Sequence, residues 1–208
     1  MTEYYIPTRE SEATFVEKRS EFISHVWRVE SEEEARAHIE ATKKKHYDAR
    51  HNCWCYIIRG GAVRYSDDGE PQGTAGQPML NVFQREGVEN VCCVVTRYFG
   101  GILLGTGGLV RAYTEGVKVA VAAAGVQRMS LYSVLLITCG YNQLGTLQQL
   151  LPRYDCQIEE TDYGADVTLT VTQPAGRLDE LNTALAEATA GTVSAMEIET
   201  KFMGRREK

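Results

Sequence analysis

The chain has 208 residues, 43% of them hydrophobic and 24% charged, which excludes a wholly disordered protein and provides enough apolar material for one large or two small cores. Its formal net charge of −6 argues against a purely electrostatic nucleic-acid binder, so any contact with phosphate must be local. No apolar run is long enough to span a bilayer, and the opening MTEYYIPTRESE has neither the basic flank nor the apolar core of a signal peptide; a cytoplasmic protein with no membrane partner is expected.

In chain order, a polar start leads to Phe22–Val29 (FISHVWRV), a strand by composition. Ser31 with Glu34 forms a capping box opening the helix SEEEARAHIEATKKKH. Its last turn carries Lys43, Lys44 and Lys45, which complement the helix dipole and are otherwise expected in solvent. CWCYII (53–58) is apolar on both faces, as a central strand is, and AVRYS (62–66) follows across Gly60-Gly61 as its hairpin partner. SDDGEPQGTAGQPML is a loop of turn formers that leads into a helix from about Thr74, and VENVCCVVTRYF (88–99) is a further strand. The helix starting near Gly108 sets Leu109, Ala112, Tyr113, Gly116, Val117, Ala120, Val121 and Ala124 on one stripe. Arg111, Glu115 and Lys118 lie on the other side, and Gly125 ends the helix.

From Ser130 the order becomes strand SVLLITC, helix YNQLGTLQQLL, strand CQIEE, strand DVTLTVTQ, helix AGRLDELNTALAEATA and strand TVSAMEIETKF. This β-α-β-β-α-β series is the ferredoxin-like arrangement, with Leu178, Leu181, Leu185 and Ala188 as the buried stripe of its second helix. The fold class is therefore α+β in two domains, residues 1–127 and 128–208, the second being the more acidic. Six cysteines lie mostly within apolar runs without C-x-x-C spacing and are expected to be buried thiols. His51, Cys53 and Cys55 share a strand face but lack a second ligand pair, so no metal or other cofactor is expected.

The stretch TRYFGGILLGTGGLVRAY (96–113) holds the candidate site. Arg97 and Tyr98 end a strand, Gly100 and Gly101 break it, and Gly105, Gly107 and Gly108 lead into a helix with Arg111 in its first turn. Strand, glycine loop and helix N-terminus together form a cradle of backbone amides suited to an anion, to which arginine forks add donors. Tyr98 and Tyr113 could stack on unpaired bases, with Lys118 one or two turns farther on. The competing reading is structural: the glycines allow a tight crossover, and Arg97 and Arg111 pair with Asp67, Asp68 or Glu70. Those three carboxylates read as turn residues or as magnesium ligands, and Arg50 and His51 precede a core strand where they could line a groove. Neither the P-loop spacing nor a complete dinucleotide fingerprint is present.

DDGEPQGTAGQPML (67–80) followed by VVTRYFGGILLGTGGLVRAY (94–113) resembles the signature of the IMPACT family, bacterial YigZ-like branch. The resemblance covers residues from about 15 to 125, with the remainder similar to the small C-terminal domain of bacterial members. It implies a first domain of the ribosomal-protein-S-five domain-two-like fold and a ferredoxin-like second, similar to the fourth and fifth domains of elongation factor G. Eukaryotic relatives restrain the general-control kinase largely through an N-terminal RWD domain, and with the IMPACT-type residues reached within about 20 residues of Met1 that role is not expected to carry over. For bacterial members the resemblance implies a connection to nucleic acid or the ribosome.

The leading expectation is a non-enzymatic protein that holds RNA or ribosomal phosphate on its first domain, in regulation of translation or a stress response. Two others stand beside it: a magnesium-dependent enzyme acting on a phosphorylated small molecule or nucleotide, and a protein-interaction module that docks a partner through the C-terminal domain.

Overall fold

The structure, a computed structural model, describes residues 3–204. It divides into two compact units, Tyr4–Arg128 and one built from residue 129 onward that also takes in Glu3. Among the described residues no helix is long and apolar enough to cross a membrane.

The first unit is a sheet of order β2-β3-β6-β4-β5, antiparallel throughout, formed by Ser11–Glu17, Ser20–Arg28, Val91–Tyr98, His51–Ile57 and Val63–Ser66. Strand β6 is central because Val91 to Arg97 are buried without a break, which only a strand covered on both faces tolerates. One face packs on α1 (Glu32–Lys45) through Ala35, Ile39, Tyr56, Cys92 and Val94. The other packs on α2 (Gly76–Glu86) and α3 (Thr106–Ala124), with Phe22, Phe83, Cys93, Val95 and Tyr113 in its core. Phe15 stacks on Phe22 at 5.0 Å between ring centroids, and Phe22 meets Tyr113 edge-on at 5.4 Å. Such contacts add to area burial and hold α3 against the sheet.

Several local expectations hold with adjustments. Ser31 Oγ caps α1 by accepting the Glu34 amide at 3.1 Å, but Glu34 reaches back to the amide of Glu30 rather than that of Ser31. Of the three lysines ending α1, Lys43 pairs with Asp68 at 3.0 Å and Lys45 with Glu12 at 3.2 Å, so these two are not simply solvated. Two strands were not anticipated in the polar start, β1 (Glu3–Pro7) and β2.

The second unit is β7 (Val126–Cys139), α4 (Tyr141–Leu150) with a 3₁₀ turn Leu151–Tyr154, β8 (Gln157–Tyr163), β9 (Val167–Pro174), α5 (Leu178–Thr189) and β10 (Ala195–Gly204). Its strands run β10-β7-β9-β8, antiparallel, and the β-α-β-β-α-β order makes it ferredoxin-like. The buried stripe of α5 runs through Leu181, Ala184, Leu185 and Thr189, while Ala188 is exposed. The stripe therefore drifts by one position from the spacing read in the sequence, as a 3.6-residue turn allows.

Candidate functional site

The acidic loop between β5 and α2 folds back on itself. Asp67 Oδ1 accepts the amides of Ala75 at 3.0 Å and Gly76 at 2.8 Å, and its Oδ2 accepts that of Gly73 at 2.8 Å. It thus satisfies donors at the start of α2, where a negative charge also meets the positive end of the helix dipole. Asp68 accepts the Asn52 amide at 2.7 Å and pairs with Lys43. Both residues serve the turn.

Glu70 departs from the turn reading. Its side chain is only 3% exposed, and Oε1 accepts hydrogen bonds from Arg97 Nη1 at 2.7 Å and the Tyr113 hydroxyl at 2.8 Å. A buried carboxylate is tolerable only with such compensation, because desolvation of each charge costs several kcal/mol. Burial first, and then the nearby Cys53 and Glu70, push the Tyr113 hydroxyl far above the usual tyrosine range, so it stays a donor. Beside this knot, His51 Nδ1 lies 2.9 Å from the Asp68 carbonyl, and Nε2 lies 3.9 Å from Glu70 Oε2. A carbonyl oxygen only accepts, so Nδ1 donates, and in the neutral ring the lone pair sits on Nε2.

The arrangement divides the anticipated cradle. Arg97 and Tyr113 are buried and donate to Glu70: Tyr113 cannot stack on a base, and Arg97, already paired, contributes only to the wall of the cavity that His51 and Glu70 line. Tyr98, the next residue on β6, faces the opposite side of the sheet. There its hydroxyl donates to Asp48 at 2.9 Å and accepts from His46 Nδ1 at 3.0 Å. Arg50 is exposed at the start of β4, close to His51 and Glu70 around one cavity. Arg111 and Lys118 lie exposed on α3 and line a different hollow of about 450 Å³.

That second hollow also contains Lys18, which occupies the β2–β3 turn with φ of 45°. Its walls carry Glu17 and Glu115, and Phe15 contributes apolar surface. None of Lys18, Arg111 and Lys118 makes an ion pair among the described residues. Lys18 was missed in the sequence; its signal was a Lys18-Arg19 pair at a turn between two strands.

The glycines serve two purposes. A side chain on Gly100 would place its Cβ 2.0 Å from the Arg19 backbone, so this residue permits the loop to lie against the β2–β3 turn. Gly101 and Gly105 hold φ of 84° and 72°, a region that favours glycine. Gly105 then starts α3 with no side-chain cap, leaving the first-turn amides at Thr106, Gly107 and Gly108 available. Beside and between them Phe99, Ile102 and Leu103 are exposed, Leu103 by 82%.

No group of three His, Cys, Asp or Glu residues among those described is placed to hold a metal. All six cysteines are free and buried. Burial raises the thiols of Cys53, Cys55, Cys92, Cys93 and Cys139, that of Cys92 to about 12, which keeps these five protonated. Cys53 donates to the Asp67 carbonyl at 2.9 Å, while His51 is held at Asp68, so the His-x-Cys-x-Cys spacing is used within the loop and core.

Fold and site together define a two-domain α+β protein whose glycine loop is braced from below by a buried Glu-Arg-Tyr knot. A family model described as the Impact N-terminal domain matches residues 18–121, and a second, described as a domain of unknown function (DUF1949), matches residues 137–192. The chain is 40% identical over 188 residues to IMPACT family member YigZ of Escherichia coli, covering 88% of this chain and 91% of that one. It is 39% identical over 166 residues to IMPACT family member YvyE of Bacillus subtilis, covering 79% and 76%. A solved structure titled as that of a hypothetical protein superposes with a TM-score of 0.60 at 37% identity, covering 96% of this chain and 98% of that one. The chain belongs to the IMPACT family. The match to the Protein IMPACT homolog of Dictyostelium discoideum, 36% over 106 residues, covers 48% of this chain and 30% of that one.

Proposed function

We propose that the protein acts without catalysis in the cytoplasm, in regulation of translation or a stress response, by holding RNA or ribosomal phosphate on the first unit. Membership of the IMPACT family fits a regulatory role of this kind. The observation that carries the reading is the hollow beside the first turn of α3, lined by Lys18, Arg111 and Lys118, none of which makes an ion pair among the described residues. Cations on an open wall next to uncapped helix amides are what a phosphate backbone requires. The exposed Phe99, Ile102 and Leu103 lie on the adjoining loop, where bases splayed from a single strand can rest. Lys18 takes the role first assigned to Arg97.

The magnesium-dependent alternative draws less support, because Asp67 and Asp68 are already engaged by backbone amides and Lys43. The test is fluorescence anisotropy of labelled single-stranded RNA at several salt concentrations. The wild-type chain should bind with an affinity that falls with salt, and Lys18→Ala/Arg111→Ala/Lys118→Ala should lose about three units of salt slope. Unchanged binding by that triple variant would remove the assignment, and co-sedimentation with ribosomes would separate RNA from ribosome as the target.

A further inference from the structure

The glycine loop has a second side, where a cavity of about 370 Å³ is lined by Arg50, His51, Glu70, Phe99, Leu103 and Thr106, among others. Its size lies within the range of small-molecule sites. Three features of its wall specify what can fill it.

The first is a pair of acceptors without donors. Glu70 Oε1 is committed to Arg97 and Tyr113, but Oε2 makes no hydrogen bond among the described residues, although the side chain is only 3% exposed. His51 Nε2 stands 3.9 Å away, beyond hydrogen-bonding distance, and in the neutral ring carries the lone pair while Nδ1 donates to the Asp68 carbonyl. Both residues line the cavity, and an acceptor there without a donor favours a ligand that brings one, so this wall favours a ligand with two adjacent donors. A vicinal diol offers one hydroxyl to each.

The second is an anion end. Arg97 is neutralised by Glu70, but Arg50 is exposed and makes no ion pair among the described residues. Gly105 and Thr106 also line the cavity, bringing it against the uncapped start of α3. The third is an apolar lip. Phe99 is 45% and Leu103 82% exposed, a cost to the free protein that a flat ring would relieve.

We propose that this cavity binds a ribonucleoside 5′-monophosphate, with the ribose 2′,3′-diol on His51 and Glu70, the phosphate at Arg50 and the first turn of α3, and the base against Phe99 and Leu103. The inference does not rest on the RNA reading, whose cations Lys18, Arg111 and Lys118 line a different hollow, although both use the first turn of α3 and the exposed Phe99 and Leu103.

Isothermal titration with AMP and with 2′-deoxy-AMP tests it on the full chain. AMP should bind saturably and 2′-deoxy-AMP about tenfold more weakly, because one acceptor then goes without its donor. Arg50→Ala should weaken both nucleotides alike, and His51→Ala should abolish the preference for AMP. Arg111→Ala/Lys118→Ala should leave AMP binding unchanged, so failure of the RNA reading and of this one are separately visible. Absence of saturable AMP binding, equal affinity for the two nucleotides, or indifference to Arg50→Ala would each overturn the proposal. Arg50 is exposed, so the comparison survives even if His51→Ala does not fold.

Discussion

Arg97 and Arg111 lie in one eighteen-residue stretch, yet the fold gives them opposite duties. Arg97, 7% exposed, is locked to Glu70 beneath the loop, whereas Arg111 stands in solvent beside Lys18 and Lys118. The difference follows from the elements that carry them. Arg97 is on the central strand and faces the α2–α3 side, where there is no water to solvate it. Arg111 is on α3, on the side opposite the stripe that packs on the sheet. Spacing in sequence therefore did not decide which arginine is free for a ligand. The face of the element did.

The comparison breaks most visibly at Glu70. Glu70→Gln should leave the Arg97 charge buried without a counter-charge and lower stability by about 3–5 kcal/mol, read from urea denaturation midpoints. Adding Arg97→Met should recover much of that loss, since the cost comes from the unpaired charge rather than from the absent contact. Failure of the double variant to recover would mean that the pair holds the loop by geometry instead. Next in size is Asp67→Ala, which strips partners from three amides at the start of α2 and should cost about 2 kcal/mol in the same measurement. Tyr113→Phe keeps the ring packed against Phe22 and deletes one hydrogen bond to Glu70, for a loss of about 1 kcal/mol.

Legibility in the sequence followed the same division. CWCYII and VENVCCVVTRYF could be read as strands because both faces are apolar, and the α3 stripe because eight positions agree on one period. Strand β2 escaped because only Ala13 and Phe15 pack against the core, leaving a polar alternation that resembles a tail. Within the site, Tyr113 appeared both on the buried stripe and among ligand residues, and the stripe was the better guide: a side chain on the apolar side of a packed helix does not reach solvent. Glu70 was the harder case. Three carboxylates stand within four residues, and only the path of the loop over α2 selects Glu70 rather than Asp67 or Asp68 as the partner of Arg97. Sequence spacing carries no trace of that choice, because Glu70 and Arg97 are 27 residues apart.

The smallest effect on stability sharpens the comparison from its open side. Arg111→Ala removes an exposed side chain with no ion pair among the described residues, so the urea midpoint should move by less than about 0.5 kcal/mol equivalent. The salt slope of RNA binding should nevertheless fall by about one unit, because one phosphate contact is lost. Arg97→Ala should show the reverse weighting, a large loss of stability with a salt slope that is unchanged for whatever fraction remains folded. Measured on the same preparations, the two variants form a cross-over: if both lower the slope by one unit without loss of stability, Arg97 must leave Glu70 to meet the phosphate, and the knot is a reserve of charge that ligand binding opens.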